Sequence, residues 1–107
     1  MISIIVPIYN EETTIRDFIY NLYCLYDIKK HEVIFVDGGS KDKTLDILEE
    51  LSYFGYSYHV SVKKGRANQM NFGAEISRGD ILWFIHADSV LQKDVIQKVI
   101  DCPTEVG

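Results

Sequence analysis

Apolar and polar residues follow two alternating periods along the chain, one typical of strands and one typical of helices. Short apolar or alternating runs predict four strands, at 2–7, 33–36, 56–62 and 81–85. Between and after them, apolar residues recur every three or four positions and predict four amphipathic helices, at 11–26, around 45–51, between Gly65 and Gly79, and from Val95 to Pro103. This βαβαβαβα order predicts an α/β fold with parallel strands and right-handed crossovers.

The composition of the third and fourth strands predicts the order of the sheet. Residues 56–62 alternate apolar and polar side chains, which is typical of an edge strand, whereas 81–85 is apolar throughout and typical of a strand buried on both faces. We therefore expect a Rossmann-like parallel sheet of order 3-2-1-4 with helices on both faces. The turns 7–11 and 86–88 would then face each other across the crevice where the strand order reverses, the usual ligand site of such sheets.

Composition narrows the class of protein. The 107 residues carry a net charge of −5 and predict one domain, 1–107, without a basic surface for nucleic acid. No apolar run approaches the roughly 20 residues of a membrane span, and the first residues lack the features of a signal peptide. With two isolated cysteines, this predicts a cytoplasmic chain. Neither a G-x-G-x-x-G dinucleotide motif nor a G-x-x-x-x-G-K-[ST] loop occurs.

Polar residues at the predicted strand ends are the candidates for chemistry. His86 and Asp88 follow the apolar fourth strand and suit Mg²⁺ or Mn²⁺ held by few protein ligands and by the phosphates of a diphosphate. The alternative is that Asp88 caps the next helix. Asp37 ends the second strand, where a carboxylate accepts from a ribose or base, or bonds its own turn. Arg66 can pair with phosphate or remain solvated.

Two further groups leave similar alternatives open. Tyr9, Asn10 and Glu11 can contact a base, although Asn10 also suits the N-cap of the first helix. Three amides, Asn68, Gln69 and Asn71, form either a polar wall or an exposed helix surface.

Four stretches together resemble the N-terminal, nucleotide-sugar-binding part of a family 2 glycosyltransferase of the GT-A fold. They are IIVPIYNEE (4–12), FVDGGSKDKT (35–44), GRANQMNFGAEISRGD (65–80) and ILWFIHADS (81–89), in the order and spacing of that family. The HAD form is most similar to a bacterial subgroup. The resemblance implies that Pro7, Tyr9 and Glu11 border the nucleobase and ribose, that Asp37 bonds either of them, and that Arg66 and Asn71 lie near the nucleotide. Asp88 would be the metal ligand of the D-x-D motif, and His86, in place of its first aspartate, would contact the ribose.

The resemblance also implies an activity. The intact enzyme would transfer a sugar from a nucleoside-diphosphate sugar to an unknown acceptor hydroxyl, with inversion and with a divalent metal, Mg or Mn. The family's general base lies in a part expected beyond Gly107, so we expect this chain to bind donor without transferring it. We also expect a homo-oligomer, because the apolar fourth strand would leave an exposed sheet edge that can pair with another chain. The alternatives are a nucleotidyltransferase and a non-catalytic nucleotide-binding module.

Overall fold

Four parallel strands form a single sheet in a computed structural model that describes residues 1–101. The strands are β1 (Ile2–Ile8), β2 (Glu32–Asp37), β3 (Ser57–Val60) and β4 (Ile81–Phe84). Their order in the sheet is β3-β2-β1-β4, which confirms the predicted topology. The turns that follow β1 and β4 therefore lie side by side at the carboxyl edge of the sheet.

Helices cover both faces of this sheet, as the sequence predicts. They are α1 (Ile15–Leu22), α2 (Thr44–Glu50), α3 (Arg66–Ile76) and α4 (Val95–Asp101). Two short 3₁₀ turns, Ile28–Lys30 and Ser52–Phe54, follow α1 and α2. Helices α1, α2 and α4 share one core with the sheet, and α3 packs alone on the other face. The predicted end of the last helix, Pro103, lies outside the described residues.

The central strand β1 carries the core because all seven of its residues are buried. On one face Ile4 and Val6 pack with α1 and α2, and on the other Ile5 packs with α3. Helix α3 approaches closely because it has Gly73 at the contact, where a Cβ would lie 2.5 Å from Cγ2 of Ile5. This close approach holds the start of α3 near the carboxyl edge of the sheet.

The first helix is shorter than predicted, and Asn10 is not its cap. Helix α1 begins after Thr14, and Asn10 instead adopts a left-handed conformation with φ of 51°. At the other end, Leu25 donates its N–H to the carbonyl of Leu22, three residues earlier, so the last turn tightens and the helix stops. The prediction failed because apolar periodicity continues through these turns although the helical hydrogen bonds do not.

The predictions for α3 and β4 were wrong in which side chains they buried. The buried residues of α3 are Gln69 and Gly73, whereas Ala67, expected inside, is exposed. Strand β4 was expected to be buried on both faces, but Leu82 is 42% exposed. The reason is position: β4 lies at an edge of the four-stranded sheet, and no strand among residues 1–101 pairs with its outer side.

Candidate functional site

Side chains lock the first two loops at the carboxyl edge to each other. Asn10 donates its N–H to Oγ of Ser40 (2.8 Å) and accepts the N–H of Lys41 through Oδ1 (2.9 Å). The N–H of Glu11 reaches Oγ1 of the buried Thr44 at 2.8 Å. Three bonds therefore fix the β1–α1 loop against the β2–α2 loop, and this rigid pair forms the floor of the candidate site.

Asp42 supports the same junction from the start of α2. Its carboxylate accepts the N–H of Thr44 (2.9 Å) and, at 3.3 Å, the N–H of Glu12. Partial burial opposes ionisation, but hydrogen bonds from Thr44 outweigh it and hold the pKa of Asp42 below its usual value. Asp42 therefore bonds both the first residue of α2 and the first loop.

Asp37 is fully buried, and its carboxylate already bonds its own turn. Oδ2 accepts the backbone N–H groups of Gly39 (2.7 Å) and Ser40 (2.6 Å), and Oδ1 accepts the Ser40 hydroxyl. This is the turn arrangement that the sequence left open as an alternative. Asp37 lines neither of the two cavities described next, so its predicted contact with a nucleoside stays a prediction.

The turns after β1 and β4 enclose a cleft of about 200 Å³. We name it the β1–β4 cleft; it is lined by Pro7, Glu11, Arg66, His86, Ala87 and Asp88. Five of the eight predicted site residues thus lie together: Pro7, Glu11, Arg66, His86 and Asp88. The strand order brings them there, because residues far apart in sequence meet where β1 and β4 are neighbours.

Arg66 and His86 contact each other across this cleft. Nη1 of Arg66 lies 2.8 Å from Nδ1 of His86. Arginine has only donors, so the imidazole nitrogen in this contact is unprotonated and accepts. Arg66 begins α3 and His86 follows β4, and their contact therefore joins the two elements that flank the cleft.

Asp88 offers an exposed carboxylate to the same cleft. No three His, Cys, Asp or Glu side chains gather into a metal-binding group anywhere in 1–101. A lone carboxylate can supply one oxygen to a hard cation that takes its other oxygens from phosphate and water, the usual way in which Mg²⁺ binds. The residues present therefore fit a metal that arrives with a diphosphate.

A second cavity, about 340 Å³, adjoins the first at Arg66. We name it the β1–α3 pocket; its lining comprises Tyr9, Gly38, Lys64, Gly65, Arg66 and Gln69. The Tyr9 ring, 49% exposed, offers a flat stacking surface, and Lys64 and Arg66 bring positive charge toward the cleft. The two cavities together have the form of a site for a flat ring at one end and an anion at the other.

Sequence reasoning missed Gln69 and Gly38 as members of this site. Gln69 is 5% exposed, and its Nε2 donates to the carbonyls of Ile8 and Val36, both at 2.8 Å. The available signal was spacing: Gln69 and Gly73 are four apart, so they share one helix face, and a glycine there indicates close packing. The sequence left Gln69 open between a polar wall and an exposed helix surface, because glutamine seldom lies in a core.

Asn71, like Asp37, is a predicted site residue that lines neither of the two cavities. It lies on an exposed part of α3, in a separate groove with Lys63, Asn68 and Glu75. Its predicted place near the nucleotide therefore has no support in this geometry.

Among the residues described here, no helix has both the length and the apolar character of a membrane span.

Most of the chain matches a known protein family. The model of glycosyl transferase family 2 matches residues 3–102. The chain therefore belongs to glycosyl transferase family 2, which confirms the resemblance found in its motifs. It is 30% identical over 105 residues to an uncharacterized glycosyltransferase of Haemophilus influenzae, a match that covers 94% of this chain and 41% of that protein.

Solved structures show the same fold. A mannosyltransferase from Pyrobaculum calidifontis, PcManGT, in complex with GDP-Man and Mn²⁺, matches with a TM-score of 0.83 and 26% identity, over 96% of this chain and 33% of that one. TarS from S. aureus in complex with UDP-GlcNAc matches with a TM-score of 0.82 over 92% of this chain and 30% of that one. At 24% identity, the TarS match shows the GT-A fold alone. In each comparison this chain spans less than half the length of the protein it matches.

Proposed function

We propose that this chain is the donor-binding part of a glycosyltransferase that moves a sugar from a nucleoside diphosphate to an acceptor hydroxyl. The observation that carries the proposal is the convergence of Glu11, Arg66, His86 and Asp88 in one cleft of a family 2 chain. The relatives extend well beyond the matched part, so we assign the acceptor site and the general base to residues outside these 107. Inversion and a cytoplasmic location, both expected from the sequence, stay predictions.

Each cavity has a role in this proposal. The nucleoside would occupy the β1–α3 pocket with its base against Tyr9, and the diphosphate would lie in the β1–β4 cleft. Arg66, which lines both cavities, is placed to donate to phosphate oxygens, and arginine does so through two parallel bonds. Lys64 adds a second positive charge at the same boundary.

A divalent cation would be held by Asp88 and by the phosphate oxygens. PcManGT, a structural relative, was solved with Mn²⁺ and GDP-Man. The cation would neutralise the charge that builds on the departing diphosphate. Arg66 would stabilise the same negative charge on the diphosphate, and its contact with His86 keeps the guanidinium at the cleft. Pro7 and Glu11 also line this cleft.

Calorimetry of Asp88→Asn tests the proposal. We expect wild type to bind UDP or GDP only when Mn²⁺ or Mg²⁺ is present, and Asp88→Asn to lose most of that metal-dependent affinity. Asp94→Asn is the matched control because Asp94 is an exposed carboxylate outside both cavities, paired with Lys98. Wild-type affinity in Asp88→Asn would refute the metal assignment, and absence of nucleotide binding by wild type would refute the function.

A further inference from the structure

The amide of Gln69 is fixed in one orientation by the backbone. Nε2 lies 2.8 Å from the carbonyl oxygens of both Ile8 and Val36. Two carbonyl oxygens accept only from a donor, so this atom is the amide nitrogen and both of its hydrogens are used. Gln69 thereby joins the carboxyl ends of β1 and β2, and the other amide atom, Oε1, points away from these two carbonyls with its position determined.

Oε1 of Gln69 has no donor among residues 1–101, and solvent reaches it. No hydrogen bond to this atom occurs in that part of the chain, while every fully buried side-chain nitrogen or oxygen there has a partner. The unpartnered oxygen is therefore not sealed in the core. Gln69 lines the β1–α3 pocket, so the pocket is the space from which the oxygen is reached.

Gly38 leaves the room that this oxygen needs. A Cβ at Gly38 would lie 2.9 Å from Oε1 of Gln69 and 3.0 Å from its Cδ, closer than side chains normally pack. Gly38 also donates its N–H to the carbonyl of Ile8, which is one of the two carbonyls that hold Gln69. The glycine turn and the glutamine therefore form one unit at the floor of the pocket.

We propose that Gln69 determines nucleoside specificity by presenting Oε1 as an obligatory acceptor to a ligand N–H or O–H donor in the β1–α3 pocket. The inference rests on the proposed nucleotide-binding function. Because both amide hydrogens are engaged, the side chain cannot turn to serve a ligand acceptor instead. Asp37, at the end of the neighbouring strand β2, is fully buried, bonded to its own turn and absent from the lining of this pocket, which Gln69 does line.

A double-mutant cycle between protein and ligand separates recognition from the structural role of Gln69. The proteins are wild type and Gln69→Met, which is similar in size but lacks the acceptor. The ligands are UDP, N3-methyl-UDP and 2′-deoxy-UDP with Mn²⁺, and GDP, N1-methyl-GDP and 2′-deoxy-GDP if GDP binds more tightly. In wild type we expect one analogue to lose about 5- to 10-fold in affinity, the usual effect of one neutral hydrogen bond. Gln69→Met should bind the parent nucleotide about as weakly as wild type binds that analogue. It should bind the parent nucleotide and the analogue with equal affinity.

The methyl and deoxy analogues identify whether the donor is a base N–H or a ribose hydroxyl. The inference is wrong if wild type binds both analogues as tightly as the parent nucleotide. It is also wrong if an analogue loses the same affinity for wild type and for Gln69→Met, which is the result expected of a purely structural glutamine. If Gln69→Met does not fold, Gly38→Ala provides the test, because it keeps the glutamine and places a methyl group against Oε1. Gly38→Ala should also bind the parent nucleotide and the analogue with equal affinity. Failure of every nucleotide to bind wild type would instead refute the underlying function.

Discussion

Nη1 of Arg66 lies 2.8 Å from Nδ1 of His86, so the first residue of α3 is bonded to the turn after β4. The pair stands between the β1–β4 cleft and the β1–α3 pocket, and only Arg66 lines both. A guanidinium bonded to a neutral nitrogen keeps its full positive charge and its remaining N–H donors. The contact therefore orients Arg66 toward an anion without neutralising it.

His86→Ala should weaken nucleoside diphosphate binding less than Asp88→Asn does. The imidazole acts on Arg66, and loss of a group that orients a binding residue costs about 10- to 100-fold or less. Calorimetry with UDP and Mn²⁺ on both variants makes the comparison. A larger loss in His86→Ala than in Asp88→Asn would mean that the two residues have exchanged the roles assigned to them.

Asp37→Ala should lower both the stability of the fold and the affinity for nucleotide. The carboxylate is fully buried and accepts two backbone N–H groups and a hydroxyl. Hydrogen bonds to a charged group contribute about 1.5–3 kcal/mol each, so we expect unfolding at clearly lower denaturant concentration. Ser40→Ala, which removes the hydroxyl alone, is the milder control. Unchanged stability in Asp37→Ala would show that the turn does not need the carboxylate.

Gly73→Ala should destabilise the protein by about 1–3 kcal/mol, the usual effect of overpacking a core. The added methyl would lie 2.5 Å from Cγ2 of Ile5 and 3.3 Å from Cγ2 of Val36, both in the fully buried centre of the sheet. Chemical denaturation measures the change, and Glu75→Ala on the exposed face of α3 is the control. Equal midpoints for the two variants would contradict the close approach of α3.

The order of the strands could be predicted because it depends on local patterns. The alternating residues 56–62 and the apolar residues 81–85 differ in period, and their difference was enough to place β3 at one edge and β4 beside β1. The exposure of β4 could not be derived in this way. An apolar run indicates that a strand can be buried, but whether it is buried depends on which elements cover it.

Several residues of the site could be predicted because they follow the ends of strands. Glu11, His86 and Asp88 were found because parallel strands bring their carboxyl ends to one edge. Two roles could not be predicted in this way, because each depends on a bond to a backbone group distant in sequence. Gln69 bonds the carbonyls of Ile8 and Val36, and Asn10 bonds the N–H of Lys41. Such partners become neighbours only when the sheet has formed.

The stability of wild type should fall as the pH is lowered through the range in which His31 titrates. Nδ1 of His31 accepts the N–H of Ile2 at 3.0 Å, which requires an unprotonated nitrogen. Burial and the nearby amino terminus lower the pKa of His31 from its ordinary 6.5, with Lys30 acting in the same direction and Asp27 against it. The unfolded chain then binds the proton more tightly than the folded one, so this contribution to stability is complete above about pH 6.5 and is lost below it.

His31→Asn tests this assignment because asparagine keeps an acceptor but does not titrate. We expect the free energy of unfolding of wild type to decrease between pH 7 and pH 5 by more than that of His31→Asn. Parallel pH profiles would show that other groups cause the decrease.

The exposed apolar edge at β4 should make the chain self-associate. Ile81, Leu82 and Phe84 are 40%, 42% and 39% exposed, and the outer backbone groups of β4 pair with no strand in 1–101. An apolar strand with free backbone groups pairs readily with another chain, and a lysine on such an edge prevents it. Light scattering should therefore show a dimer or larger species for wild type at high concentration and a monomer for Leu82→Lys. Val90→Lys, which changes a 95% exposed apolar residue outside the strand, should behave as wild type. A monomeric wild type would show that this edge does not recruit a second copy.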